Sequence, residues 1–143
     1  MNWNITPSDE RLRLWKSLRK DIASLNLEDQ LREIAKFCAA MPIGHRSLDY
    51  YAPDDWPTPW EILFHGTFCT SSISLLMFHT LVMVGRDPVL HLVDDNGELF
   101  LLPVIDYQYI LNYELGQVSS YSVLVSDFKV LETFTKDRIK SIT

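Results

Sequence analysis

Cys69 is the residue of this chain best placed to do chemistry. It stands where a glycine turn gives way to a long apolar run, G-T-F-C-T-S-S-I-S-L-L-M-F-H-T-L-V-M-V-G over residues 66–85. A thiol at a helix N-terminus lies against unpaired backbone N–H groups and the positive end of the helix dipole, and both favour the thiolate. A nucleophilic thiol needs two more groups: an imidazole to take its proton and a partner to orient that imidazole. His91, on an apolar strand pattern after the helix, and Asp106, at the end of the return strand, are the candidates. In a regular hairpin they are not opposite each other, so their meeting requires a bulge or a third segment. The backbone N–H of Cys69 is the natural contributor to an oxyanion hole. Cys69 is therefore read as a nucleophile or as the relic of one. Each residue also has a structural reading: Cys69 as core beside Phe68, His91 as a hydrogen-bonded core histidine, Asp106 as a cap for the next segment.

Other chemistries find less support. His65 and Cys69 are separated by the Gly66-Thr67 break and no second ligand pair follows at zinc spacing, so no metal is expected. Ser71 and Ser72 lack a Gly-x-Ser-x-Gly elbow. The five glycines are scattered singly, so there is no phosphate-cradling loop and no cofactor is expected.

Tyr51, Asp55-Trp56, Pro59-Trp60-Glu61-Ile62-Leu63, Gly66-Thr67-Phe68-Cys69, Leu75-Leu76, Leu81 and Gly85 together resemble the transglutaminase-like cysteine-peptidase superfamily. That family shows a Tyr, a Trp/Pro/Glu approach, and Gly-x-x-Cys opening an apolar helix. A His on one strand and an Asp about fifteen positions later follow, and His91 and Asp106 stand at that separation. The resemblance covers residues 50–107. It implies Cys69 as nucleophile, His91 as base and Asp106 as orienter, with Tyr51, Trp56 and Trp60 in substrate binding. Trp56 and Trp60 either wall a cleft beside Cys69 or only anchor the loop. The implied activity is a cysteine-dependent hydrolase or acyltransferase acting on a peptide, isopeptide or amide bond of a protein or peptide substrate. The chain departs from the family in Thr70-Ser71-Ser72 after the cysteine and in the residue after His91, which is not aromatic. It also leaves no room for an extra strand before the His strand. These departures motivate an alternative: a binding or inhibitory module that keeps the fold without the chemistry. A third reading is a structural subunit of a larger assembly such as a viral or phage particle.

Composition narrows the field. At 143 residues, 47% hydrophobic and 22% charged, the chain suits one domain with one core. A net charge of −6 and no basic stripe argue against nucleic acid. Arg11, Arg13, Lys16, Arg19 and Lys20 on the first helix are interleaved with acids and read as a solvated face. Two cysteines make no disulfide framework, and Cys38 falls in an apolar helical stripe. No signal-peptide pattern or membrane span is seen, so the expectation is a cytoplasmic protein without a membrane partner. Nothing in the sequence sets the oligomeric state.

The elements that must position the thiol follow from capping and periodicity. Thr6 caps a first helix with Pro7 at its first position, running to about residue 25. Asn26 caps a second, with Leu27, Leu31, Ile34, Cys38 and Met41 buried and Pro42 as its stop. After a loop, Thr58-Pro59-Trp60-Glu61 is a capping box opening a short helix closed by Gly66. Thr67 is the expected cap of the apolar helix at 68–84. Strands are expected at 89–93 and 98–105 around the Asn96-Gly97 turn. A short helix or loop is expected at 107–115, and strands at 118–125 and 128–133 pairing with each other. The polar tail from Thr135 suits a short helix. The expected architecture is α+β: N-terminal helices and a central buried helix packed on a small antiparallel sheet, transglutaminase-like.

Overall fold

A computed structural model describes residues 3, 5–44, 48–66 and 68–139. Five helices and a five-stranded antiparallel sheet make up the fold: α1 (Ser8–Ile22), α2 (Leu27–Ala39), α3 (Pro59–His65), α4 (Thr70–Met83), β1 (Val89–Asp95), β2 (Glu98–Ile105), β3 (Tyr109–Leu111), β4 (Val118–Ser120), α5 (Tyr121–Leu124) and β5 (Lys129–Phe134). The α+β expectation holds, with the order β4-β3-β2-β1-β5 across the sheet.

α4 is the centre because it has no polar face. Its residues from Ser71 to Leu81 are all buried, Leu75, Leu76 and Met77 completely. A helix of this kind must be covered on every side. The sheet covers one side through Leu90, Leu92, Leu101, Ile105, Leu111 and Phe134, while α1, α2 and α3 cover the rest through Trp15, Leu31, Ile34 and Leu63. One pair of polar side chains links α1 to α4 inside the core. Trp15 Nε1 donates to Thr80 Oγ1 at 2.9 Å, and that hydroxyl donates back to Leu76 O at 2.7 Å.

The helix starts were partly legible. Asn26 caps α2 by accepting from Asp29 N–H, and Thr58 with Glu61 forms the expected capping box on α3, which Gly66 ends in the left-handed region. Pro7, rather than Thr6, is the cap residue of α1. Thr67 lies outside the described residues, as does the tail beyond residue 139; Lys136–Arg138 forms a single 3-10 turn. Arg11 is not part of a solvated face. Its guanidinium donates to Leu63 O at 2.6 Å and to Phe64 O at 2.7 Å, satisfying carbonyls at the end of α3, and to Thr6 O just before α1. Arg19 stacks on the Trp15 ring at 4.1 Å, whereas Arg13 pairs with Glu10 at the surface.

The Asn96-Gly97 hairpin forms as expected, both residues having positive φ. Three sheet expectations fail. The segment after β2, expected as a short helix or a loop, holds a strand: Asp106 and Tyr107, with φ of 56° and 50°, make a tight turn into β3. The expected strand at 118–125 breaks at Tyr121, where α5 begins. β5 pairs with β1 instead of β4, because Phe134 belongs in the core opposite Leu90 and against Trp56.

Candidate active site

Cys69 is the N-cap of α4, and the cap is built from its own side chain. Sγ accepts the Ser72 N–H at 3.3 Å, while Ser72 Oγ accepts the Cys69 N–H at 2.9 Å and donates to Cys69 O at 3.0 Å. This is a capping box with cysteine in the place usually held by serine or threonine. Cys69 is half-buried. Cys38, by contrast, is fully enclosed, and burial pushes its thiol up to about 12. The same cap removes the expected oxyanion donor, since the Cys69 N–H is already committed to Ser72.

The other two members of the expected triad do not reach the thiol. Side chains alternate across a strand, so residues of β1 divide between the sheet's two faces. Leu90 and Leu92 point to α4; His91 and Val93 point away. The register agrees: His91 lies opposite Leu102 on β2 and Thr133 on β5, both on the outer face. There His91 is buried at 2% exposure, its Nδ1 3.1 Å from Thr133 Oγ1 and its ring flanked by Tyr107 and Tyr121 at 5.8 and 5.9 Å. Desolvation lowers its pKa, and Nε2 is buried without a partner. Asp106 is exposed in the β2–β3 turn. It lies seven residues beyond Leu99, roughly 23 Å along a strand. It holds a positive φ in that turn.

What stands beside the first turn of α4 is a different set. Tyr50 Oη is 3.1 Å from Ser71 Oγ and donates to Leu99 O at 3.4 Å, so this loop residue bridges the helix start and the start of β2. Leu99 faces inward there. Asn112, just past β3 with φ 65°, donates from Nδ2 to Thr70 O at 2.9 Å and to Ser74 Oγ at 2.8 Å. Asp94, the inward neighbour of Leu99 on β1, accepts the Gly97 N–H at 2.7 Å and holds the hairpin turn. None of these groups is an imidazole. Tyr50 and Asn112 escaped the sequence reading because their sequence neighbours carry no motif; the resemblance pointed to Tyr51, one position away.

The aromatic candidates separate as well. Trp56 is buried at 2% exposure, donates from Nε1 to Asp49 O at 2.6 Å and meets the Phe134 ring edge-on at 4.9 Å. It anchors the loop and walls no cleft. Trp60 packs edge-on against Trp15 at 5.8 Å, on the α1 side. Tyr51 is exposed at 67%. A groove of about 940 Å³ lies between α2 and the β3–β4 side, lined by Arg32, Lys36, Tyr109 and Ser119 among others, and none of the Cys69 neighbours borders it. Among the described residues, no group of three or more His, Cys, Asp or Glu is placed to hold a metal, and no helix is long and apolar enough to cross a membrane.

No family model matches the chain, and no curated protein matches it significantly. Solved structures do. The chain is similar to LapG of Legionella pneumophila, with a TM-score of 0.74 and 17% identity over 90% of this chain and 76% of that one. It is similar to the EGTA-treated form, with a TM-score of 0.73 and 16% identity over 90% and 74%. For the calcium-bound form the TM-score is 0.69 at 16% identity over 88% and 75%. At this identity the likeness shows the fold alone: the chain shares the α+β architecture of these structures.

Proposed function

We infer that this chain is a binding or inhibitory module for a protein or peptide partner, built on a cysteine-peptidase type of fold without its chemistry. One observation carries the reading: the inward β2 residue that Tyr50 ties to the first turn of the Cys69 helix is Leu99, while the β1 imidazole lies on the outer face of the sheet. A leucine takes no proton, and Asn112 is already spent on Thr70 and Ser74. The cysteine is left as a helix cap. Around it, Ile43, bridged to Phe68, and Tyr51, next to Tyr50 in sequence, present exposed apolar surface. This is where a partner would sit.

A thiol enzyme is the second reading, favoured by the partial exposure of Cys69 and the N–H aimed at its sulfur. It requires a base from elsewhere in the chain; His45, next to Gly44 in sequence, lies outside the described residues. Incubation with a complex peptide mixture, read by mass spectrometry, separates the two readings. The module predicts no product that depends on Cys69, and retained peptides that bind Cys69→Ser as well as wild type but are lost on Tyr51→Ala. A cleavage or transamidation product that disappears in Cys69→Ser would establish the enzyme, and its loss in His45→Ala would name the base.

A further inference from the structure

The outer face of the sheet carries a second concavity, far from the α4 side. Asp95 closes β1 on that face, Phe100 and Leu102 follow on β2, and Tyr113 arrives from the segment after β3. Together they line a cavity of about 220 Å³. Leu102 gives it an apolar floor, and Phe100 and Tyr113 supply aromatic walls, the latter backed by the Phe128 ring at 6.4 Å. The Asp95 carboxylate is its charged group. Oδ2 accepts from Tyr113 Oη at 3.2 Å and Oδ1 from Asn96 Nδ2 at 3.3 Å, and it enters no ion pair among the described residues.

The charged groups that act on Tyr113 are acidic. The Tyr113 phenol is pushed up by desolvation first, then by Asp95, with smaller contributions from Asp127 and Glu114. His91, which pairs with Leu102, has its pKa lowered by burial and adds no positive charge at neutral pH. Aromatic faces beside a carboxylate, over an apolar floor, form the environment that an organic cation on an unbranched chain fills best. The rings attract the charge, the carboxylate pairs with it and the floor takes the methylenes.

We propose that Asp95, Phe100, Leu102 and Tyr113 form a pocket for an alkylammonium or guanidinium group, the head of a lysine or arginine side chain or of a free amine. The pocket shares no residue with the Cys69 region, so its failure would leave the proposed function untouched, and the reverse.

The test is an NMR titration of the full chain with Nα-acetyl-lysine methylamide, Nα-acetyl-arginine methylamide, n-butylammonium and uncharged Nα-acetyl-norleucine methylamide. Saturable shifts at Phe100, Leu102 and Tyr113 are expected with the cations and not with norleucine. Asp95→Asn should weaken binding at least about tenfold, the scale of a lost charge-assisted contact. Phe100→Leu should weaken it by a smaller factor and decides the matter if Asp95→Asn does not fold. Binding of n-butylammonium as strong as that of the capped amino acids supports the pocket with a free amine as its source. Binding of the capped amino acids alone supports it with a partner's side chain as its source. No saturable shift with any cation, equal shifts with norleucine, or an unchanged titration in folded Asp95→Asn overturns the proposal.

Discussion

The sheet treats its two faces differently. Its inner face meets α4 through a continuous apolar layer that includes Leu90, Leu92, Leu101, Leu111 and Phe134. Its outer face carries a smaller cluster centred on Val93, Leu102, Val104 and Ile110, against which Tyr113, Phe128 and the α5 residues Tyr121 and Leu124 pack. The thiol belongs to the inner side and the β1 imidazole to the outer. A shift of one residue in a strand moves every side chain to the other face. Histidine at Leu90 or Leu92 would face α4; at 91 it does not. Two groups 22 positions apart in sequence, with the right chemistry and order, are thus separated by the thickness of a sheet.

The difference predicts where damage is severe. Trp56→Ala removes a buried indole that ties the loop to Phe134 on the inner side. It should cost roughly 3–5 kcal/mol in urea unfolding. Val123→Ala, exposed on the outer side at 68%, should stay within about 0.5 kcal/mol. A Trp56 effect under about 1 kcal/mol, with loss of partner binding instead, would return this residue to the role of a cleft wall.

Acid should reveal the buried imidazoles. Desolvation lowers His79 from 6.5 to about 4, and lowers His91 as well. A folded-state value below the unfolded one means the unfolded chain binds more protons between the two. Stability from the neutral His79 ring is present above about pH 6.5 and is lost as pH falls toward 4, and His91 acts in the same direction. The slope is at most about 1.4 kcal/mol per pH unit for each ring. Unfolding free energies measured across this window should flatten in His79→Gln. An unchanged slope would mean that His79 is not kept neutral by burial.

The helix starts give the smallest effects. Thr58→Ala breaks the α3 capping box and should cost about 1 kcal/mol. Cys69→Ser replaces one cap acceptor by a better one, so its thermal midpoint should match or slightly exceed that of wild type. A marked loss would mean that the sulfur does more for the fold than accept one N–H.

These contrasts also explain what the sequence revealed. Elements with local signals were legible: Asn26, the Thr58–Glu61 box, Gly66, the Asn96-Gly97 turn and the featureless apolar run of α4. The central burial of α4 and the α+β class followed from them. Long-range choices were not legible. Nothing near Lys129 says that its strand will cross the sheet to β1; the reason is Phe134 meeting Trp56 and Leu90, far apart in sequence. Spacing also fails to say which face a strand residue takes. The run V-L-H-L-V is apolar on both sides, so alternation was uninformative, and His91 was placed by the family's spacing and not by its pleat.

The central claim, that Cys69 has no imidazole partner on β1, is tested most directly by the pH dependence of its alkylation with iodoacetamide. Cys38, enclosed in the core, stays silent in the native state and serves as the internal control. The rate profile of wild type should superpose on that of His91→Gln across the whole range. A wild-type profile with a rate plateau at acidic pH that collapses in His91→Gln would mean that the two groups form a pair, and the division between the two faces would be wrong.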